Sequence, residues 1–357
     1  MTRGGASLLD RLGIVLPIVQ APMAGVSTPA MAAAVSNAGA LGSIAVGAAG
    51  VAEAATMIAA VRDGTDRAFN VNLFVHPTPR ADPVREAAWL TRLTPYFAAF
   101  GATPPVALRA IYTSFADDPA MLALLVEVAP PVVSFHFGLP SAAAIGALRD
   151  RGVVLLATAT SIAEARRIEA VGIDGIVAQG IEAGGHRGMF DPDAPDDGLG
   201  TIALTRLLVR ETRLPVIAAG GIMDGAGIAA ALDLGAMAAQ LGTAFVACPE
   251  SAADAAYRTA LAGPAAAHTV MTSLISGRPA RALANRFTAL GGIVGNDRPP
   301  DYPIAYDAGK ALHAAARVRG EYGFGAQWAG QGAPLSRALP AADLVATLAN
   351  ELHRGSR

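Results

Sequence analysis

The sequence predicts an α/β protein, a (β/α)8 TIM barrel carrying a second, smaller, mainly helical domain. Three observations lead there. Between Pro17 and Thr243, short runs rich in β-formers alternate with Ala-rich amphipathic stretches, the rhythm of repeated βα units around a parallel sheet. Hydrophobic residues make up 53% of the chain and charged residues 16%, which suits strands buried on both faces under a ring of helices. After residue 245 the rhythm stops, and helical stretches with Gly/Pro punctuation follow.

In chain order the strand candidates are 17–23, 41–46, 69–74, 132–137, 153–160, 175–179, 215–220 and 237–242. Eight strands suit a closed barrel. The open, doubly wound alternative lacks its fingerprint, since no strand is followed by G-x-G-x-x-G with an acid about 20 residues on. The connection from Val75 to Pro131 is too long for one crossover, and Pro77, Pro79, Pro83 and Pro95 mark an excursion with a helix near 82–99. A last stretch with apolar residues at helical spacing, 340–353, opens on Pro340 and is expected to pack back on the barrel. The expected division is a barrel over 1–245, a substrate-binding helical domain over 246–334 and a C-terminal helix within 335–357.

Composition narrows the function. A net charge of −2 gives no footprint for nucleic acid, and no Lys/Arg cluster marks a membrane surface, so the expected partner is a small molecule. The segment MTRGGASLLDRLGI has no uninterrupted apolar core followed by a small-residue cleavage site, and Cys248 is the only cysteine; both agree with a cytoplasmic location. The apolar tract 28–61 is broken by Ser36, Asn37, glycines and Glu53, so it reads as helix, strand, helix rather than a membrane span. The expected assembly is a monomer or a homodimer.

In α/β barrels the active site lies at the C-terminal ends of the strands, and the unusual residues fall there repeatedly. Gly220 and Gly221 close one strand; Gly242 and Thr243 close the last. That pair of loops suits a phosphate monoester, because glycine lets backbone N–H groups approach oxygens and a hydroxyl adds a donor; ordinary barrel turns are the alternative. Asn72 and Gln179 stand at the ends of strands otherwise made of core residues, where they either meet the pyrimidine edge of a flavin or tie down a loop. Met23 either lies under a flat ring or fills the core.

His186 follows Gly184-Gly185 in a long loop. An imidazole flanked by glycines over a barrel mouth is poor packing but suits a ligand, so His186 reads as a site residue rather than a structural one. His136 ends a strand and is either a second site residue or a satisfied core histidine. The acidic run Asp191, Asp193, Asp196, Asp197 reads as a solvated loop whose proline spacing does not match a calcium site, and no histidine pair has i,i+4 metal spacing, so no metal is expected.

Lys310 is the only lysine among 27 basic residues. A chain that uses arginine elsewhere leaves this ammonium for a task a guanidinium does not do, such as a compact point charge in a pocket. Tyr302, Tyr306 and Lys310 recur at i, i+4 and i+8, which on a helix places them on one turning face suited to an anionic substrate; the alternative is a Tyr-rich packing helix with a snorkelling lysine.

Several segments together resemble a known family: QAPMAG-ST-P (20–29), FNVNLF (69–74), SFHFG (134–138), EAGGHRG (182–188), PVIAAGGI (215–222), QLGTAF (240–245), YP-AYDAGKAL (302–312) and FGAQWAGQGAP (324–334). The chain is similar over about 14–334 to class I nitronate monooxygenases. EAGGHRG alone indicates the wider flavin-barrel superfamily, which includes enoyl reductases and NADH:quinone reductases; the last two segments are more particular. The resemblance implies FMN held by Asn72, Gln179, Gly184, Gly221, Gln240, Leu241, Gly242 and Thr243. It also implies His186 as the catalytic histidine, with His136, Tyr302, Tyr306 and Lys310 lining the substrate pocket. The implied reaction oxidises alkyl nitronates with O2 to a carbonyl compound and nitrite, with propionate 3-nitronate, an anion carrying a carboxylate, as the expected substrate. Two other readings stay open: an NAD(P)H-dependent FMN reductase acting on quinones or enoyl thioesters, and a non-redox barrel enzyme or FMN-binding protein.

Overall fold

The structure, a computed structural model, describes residues 7–291 and 298–355. Residues 1–6, where the N-terminal segment MTRGGASLLDRLGI begins, lie outside the described residues, as do 292–297 of the second division and 356–357 of the third.

All eight expected strands form. They are β1 (Ile18–Gln20), β2 (Gly42–Ala45), β3 (Phe69–Phe74), β4 (Val132–His136), β5 (Val154–Ala159), β6 (Gly175–Gln179), then, beyond the short β7 (Gly185–His186), β8 (Val216–Ala219) and β9 (Ala238–Leu241). Their order in one parallel sheet is β1-β9-β8-β6-β5-β4-β3-β2. A bridge between Val19 and Leu41 brings the two edges together, so the sheet closes as a barrel.

Side chains alternate along the strands as a barrel requires. In β5, Val154 and Leu156 join an interior cluster with Val19, Val132, Val177 and Ile217, whereas Leu155, Ala157 and Ala159 face outward to helices. Leu8 and Leu12 of α1 (Leu8–Leu12) belong to the same interior cluster and stopper its N-terminal end. The open end is therefore the C-terminal one.

The outer ring consists of α2 (Pro29–Asn37), α3 (Val51–Gly64), then, after α4 (Pro83–Ala99), α5 (Pro119–Val128), α6 (Ala142–Asp150), α7 (Ile162–Ala170), α8 (Thr201–Glu211) and α9 (Gly225–Asp233). Thr28, Asp118, Ser141, Ser161 and Asp224 each cap a helix by accepting from a first-turn amide, which is why the ring helices start where they do. Following β9 come α10 (Thr243–Val246), α11 (Ala255–Ala262), α12 (Ile304–Val318) and α13 (Ala341–Gly355). Leu344, Val345 and Leu348 of α13 share a core with Ile228 of α9 and Met31 of α2, the return packing that its amphipathic pattern predicts.

The layer over the barrel mouth has two features that the sequence pattern does not give. First, it is not only helical: β10 (Thr269–Thr272) and β11 (Ala280–Leu283) form an antiparallel hairpin, and β7 adds to it as a third strand. Neither hairpin strand alternates apolar and polar residues, and β7 is two residues long, so periodicity has nothing to register. Second, α4 from the long β3–β4 excursion packs with α12, with Trp89, Leu93 and Phe97 meeting Leu312, Ala316 and Phe324. The layer thus draws on two separate stretches of chain. Among the described residues no helix is long and apolar enough to cross a membrane.

Candidate active site

A cavity of about 950 Å3 opens at the C-terminal end of the barrel, a volume in the range of cofactor and substrate sites. The strand ends wall it on one side: Met23, Asn72, His136, Gln179 and Gln240 all reach it. The glycine loops form the floor, with Gly220, Gly221, Gly242 and Thr243 from the β8–β9 side and Gly184 and Gly185 from the loop after β6. His186, Tyr302, Tyr306 and Lys310 close the other wall. Leu241 alone of the expected residues stays away. Its side chain is fully buried among Ile18, Met31 and Phe245, between barrel and helices, because successive residues of β9 point to opposite faces.

Two glycines show why no larger residue stands there. Gly221 has φ +67°, a left-handed conformation that side chains disfavour. A Cβ on Gly184 would sit 2.5 Å from the Gly330 amide nitrogen, so the β6 loop and the 324–334 segment touch only because the side chain is missing. Thr243 Oγ1 accepts from the same Gly330 amide at 2.9 Å and keeps its own proton to donate.

His186 sits in β7, paired with Ala280 of β11. Its Nε2 is 2.9 Å from Ser276 Oγ. Its ring lies among Trp328, Tyr302 and Phe137, at 5.0, 5.3 and 5.6 Å between centroids. The barrel holds this loop through its backbone. The His186 carbonyl accepts from Gln179 Nε2 at 2.9 Å and pairs with His136 Nε2 at 3.2 Å, while Gln179 Oε1 accepts from the Gly188 amide at 2.7 Å. Gln179 therefore ties down a loop with both ends of its amide while its side chain also lines the cavity. Asn72 is held likewise, its Nδ2 donating to the Ser134 carbonyl and hydroxyl at 3.2 and 2.9 Å.

Burial pushes the imidazole of His186 down to about 3, helped by His136 and by the positive charge of Arg278. His136 falls to about 4, again chiefly by burial, against a raising contribution from its bond to the His186 carbonyl. Both rings are neutral at neutral pH. A neutral His136 that donates from Nε2 must accept at Nδ1, and Thr158 Oγ1 stands there at 3.0 Å.

The phenols go the other way. Burial raises Tyr306 and Tyr112 to about 12 and Tyr302 well above 10, so all three keep their protons. Tyr302 Oη is buried and has no hydrogen-bond partner among the described residues. Tyr302 lies in the turn before α12, not on the helix itself, yet Tyr306 and Lys310 follow it onto the same wall. Lys310 is exposed at the mouth, its ammonium 5.0 Å from the Tyr112 ring and 5.4 Å from that of Tyr306, and it forms no ion pair among the described residues.

Five residues around this site were not singled out by the sequence: Tyr112, Phe137, Ser276, Arg278 and Trp328. Tyr112 lies in an unpatterned stretch, and Arg278 is one arginine among many. Trp328 stands inside a segment quoted for its resemblance, and Tyr257 Oη donates to its carbonyl.

The nitronate monooxygenase family model matches residues 6–351. The nitronate monooxygenase of Paraburkholderia phytofirmans is 62% identical over 349 residues, covering 98% of this chain and 95% of that one. That of Pseudomonas aeruginosa is 58% identical, covering 96% and 97%. Among solved structures, the nitroalkane oxidase from Streptomyces ansochromogenes superposes with a TM-score of 0.89 at 41% identity, covering 98% of this chain and 99% of that one. FabK from Thermotoga maritima is more distant, with a TM-score of 0.72 at 29% identity over 98% and 96% of the two chains. Because the match takes in the strand ends and glycine loops on one side of the cavity and the Tyr302–Lys310 wall on the other, the chain belongs to the nitronate monooxygenase family of oxidoreductases.

Proposed function

We propose that this enzyme binds FMN at the strand ends and oxidises small anionic nitronates with O2 to a carbonyl compound and nitrite, with propionate 3-nitronate as its preferred substrate. The observation that carries this reading is the buried Tyr302 hydroxyl without an acceptor, beside a neutral His186 and with Lys310 at the mouth. Such a wall wants a ligand rich in acceptor oxygens and negative charge.

The residues fit a flavin. The cavity, about 950 Å3, leaves room for a planar cofactor together with a small substrate. Gly220, Gly221, Gly242 and the free proton of Thr243 suit the phosphate, while Asn72, Gln240, Gly184, Gly185 and Met23 suit the ring system, with Gln179 holding the loop above it. When bound, FMN supplies the electron acceptor and the route to O2. The chain's own residues do the rest. A nitronate is already deprotonated at carbon, so no strong base is required; Tyr302 and Tyr306 donate to the anion, and His186, fixed against Ser276, positions it. Lys310 meets the carboxylate where it faces water.

The test is which donor reduces the flavin. Anaerobic mixing with propionate 3-nitronate is expected to bleach the flavin absorbance rapidly, and NADH or NADPH slowly or not at all, as followed by stopped-flow spectroscopy. Rapid bleaching by NADH with no response to nitronate would overturn the proposal and leave a quinone or enoyl reductase.

Lys310→Met separates the carboxylate from the nitro group. The expected loss in kcat/KM for propionate 3-nitronate is about fivefold, roughly 1 kcal/mol, less than a buried charged hydrogen bond is worth because the ammonium is exposed. Propyl-1-nitronate, of equal length without the carboxylate, should be unaffected. Equal losses for both would place Lys310 in the structure rather than on the carboxylate.

A further inference from the structure

Arg278 is 1% exposed, one of the largest fully buried side chains of the protein. No carboxylate forms an ion pair with it among the described residues; its Nη2 donates to the Met189 carbonyl, and its Nε has no partner. A buried guanidinium in that state is costly, and folds avoid it unless it does something. The acids nearest in effect are committed elsewhere. Glu164 accepts from the Phe190 and Thr160 amides, Asp193 pairs with Arg298 at 3.0 Å, and Asp191 accepts from the Asp193 amide.

What Arg278 does face is the back of the active site. Its Cζ lies 4.2 Å over the ring of Phe137, a residue in the left-handed region at φ 77°, where a non-glycine is rare. The other side of Phe137 lines the cavity, with His136 at 4.5 Å, Tyr302 at 5.4 Å and His186 at 5.6 Å between ring centroids. Arg278 itself is not part of the cavity wall. One aromatic ring thus separates a full positive charge from the reacting region, a separation within about 10 Å across a medium of low dielectric.

We propose that Arg278 is a specificity-determining residue whose unpaired charge, acting through Phe137, makes the cavity favour an anionic nitronate over the neutral nitroalkane of the same skeleton. This rests on the reading of the cavity as a nitronate site. With both histidines neutral, the imidazoles supply no counter-charge, and Lys310 stands out at the mouth. Arg187 also opposes protonation of His136, but it is paired with Asp196 at 2.8 Å, so the unpaired positive charge behind the inner cavity is that of Arg278. The same field bears on His76, His136 and His186, whose protonation it opposes, and on the Tyr302 phenol, whose ionisation it favours.

The experiment compares Arg278→Met and Arg278→Lys with the parent enzyme, using ethylnitronate as substrate and nitroethane as a neutral competitive inhibitor. For Arg278→Met we expect kcat/KM for ethylnitronate to fall on the order of tenfold. The nitroethane inhibition constant should change less than about threefold, and the melting temperature should hold or rise, since an apolar side chain replaces an unpaired buried charge. Arg278→Lys keeps the charge and should keep most of the discrimination. Histidine titration by NMR reads the field without the reaction: His136 and His186, near 4 and 3 in the parent, should titrate higher in Arg278→Met. Equal losses for both ligands, a lysine variant as impaired as the methionine one, an unchanged histidine titration, or a methionine variant that does not fold would each overturn the proposal. If the parent enzyme leaves ethylnitronate untouched, the nitronate reading falls, and the histidine titration still decides whether Arg278 sets the field.

Discussion

Gly242→Leu is expected to purify with less than about a tenth of the flavin of the parent enzyme while keeping its far-UV dichroism, and so to lose turnover altogether. The choice of this glycine matters. Its φ of −109° is open to any residue, so the backbone need not strain. A Cβ there would sit 3.3 Å from Ala21 Cβ and 3.6 Å from Met23 Sδ, so a methyl needs Ala21 to give slightly, and anything longer is directed into the space proposed for the cofactor. Gly221 would make a poorer probe, because its φ of +67° would confound lost flavin with a strained turn. Gly242→Ala serves as the graded control and should retain most of its flavin. A leucine variant that remains fully yellow would remove the phosphate from this loop.

The second large effect is on stability and comes from the two neutral histidines. Each has a folded-state pKa far below the ordinary value of 6.5, about 4 for His136 and about 3 for His186. The unfolded chain therefore binds protons that the folded chain refuses. Stability is fully present above pH 6.5 and is lost as the pH falls toward those lowered values. Between pH 7 and pH 5 the pair should remove on the order of 4 kcal/mol, a large fraction of what a folded protein has to lose. His76 and His313 are lowered too, and act in the same direction. Urea midpoints at pH 7, 6 and 5 would measure the slope, and His136→Asn should remove about half of the pair's share of it. An equal slope in that variant would mean that His136 is charged in the fold or reached by water.

The barrel was legible because its strands repeat one pattern under one rule: β-rich runs, a glycine or polar residue at each C-terminal end, an amphipathic helix after each. The candidate site was legible for the same reason, since strand ends on one rim are neighbours whatever their separation in sequence. The three-stranded sheet over the mouth was not, because β7 finds its partner more than ninety residues away and carries no periodicity of its own. Gln179 shows a different limit. An amide at a strand end was identified as special, but whether it faces a ligand or its own loop depends on where the Gly188 amide lies, and no spacing encodes that. Arg278 carried no signal at all: what sets it apart is the missing carboxylate, and a missing neighbour is visible only in three dimensions.

The attachment of β7 to the β10–β11 hairpin has a consequence for the order in which the enzyme matures during synthesis. The last barrel strand ends at Leu241 and the glycine floor two residues later at Thr243, so both can close as soon as those residues clear the ribosome. His186 is already in the chain by then, but β11, which fixes its strand, ends only at Leu283, and Tyr302, Lys310 and Trp328 come later still. A nascent chain halted between those points would hold the loops proposed for the cofactor before the wall proposed for the substrate exists.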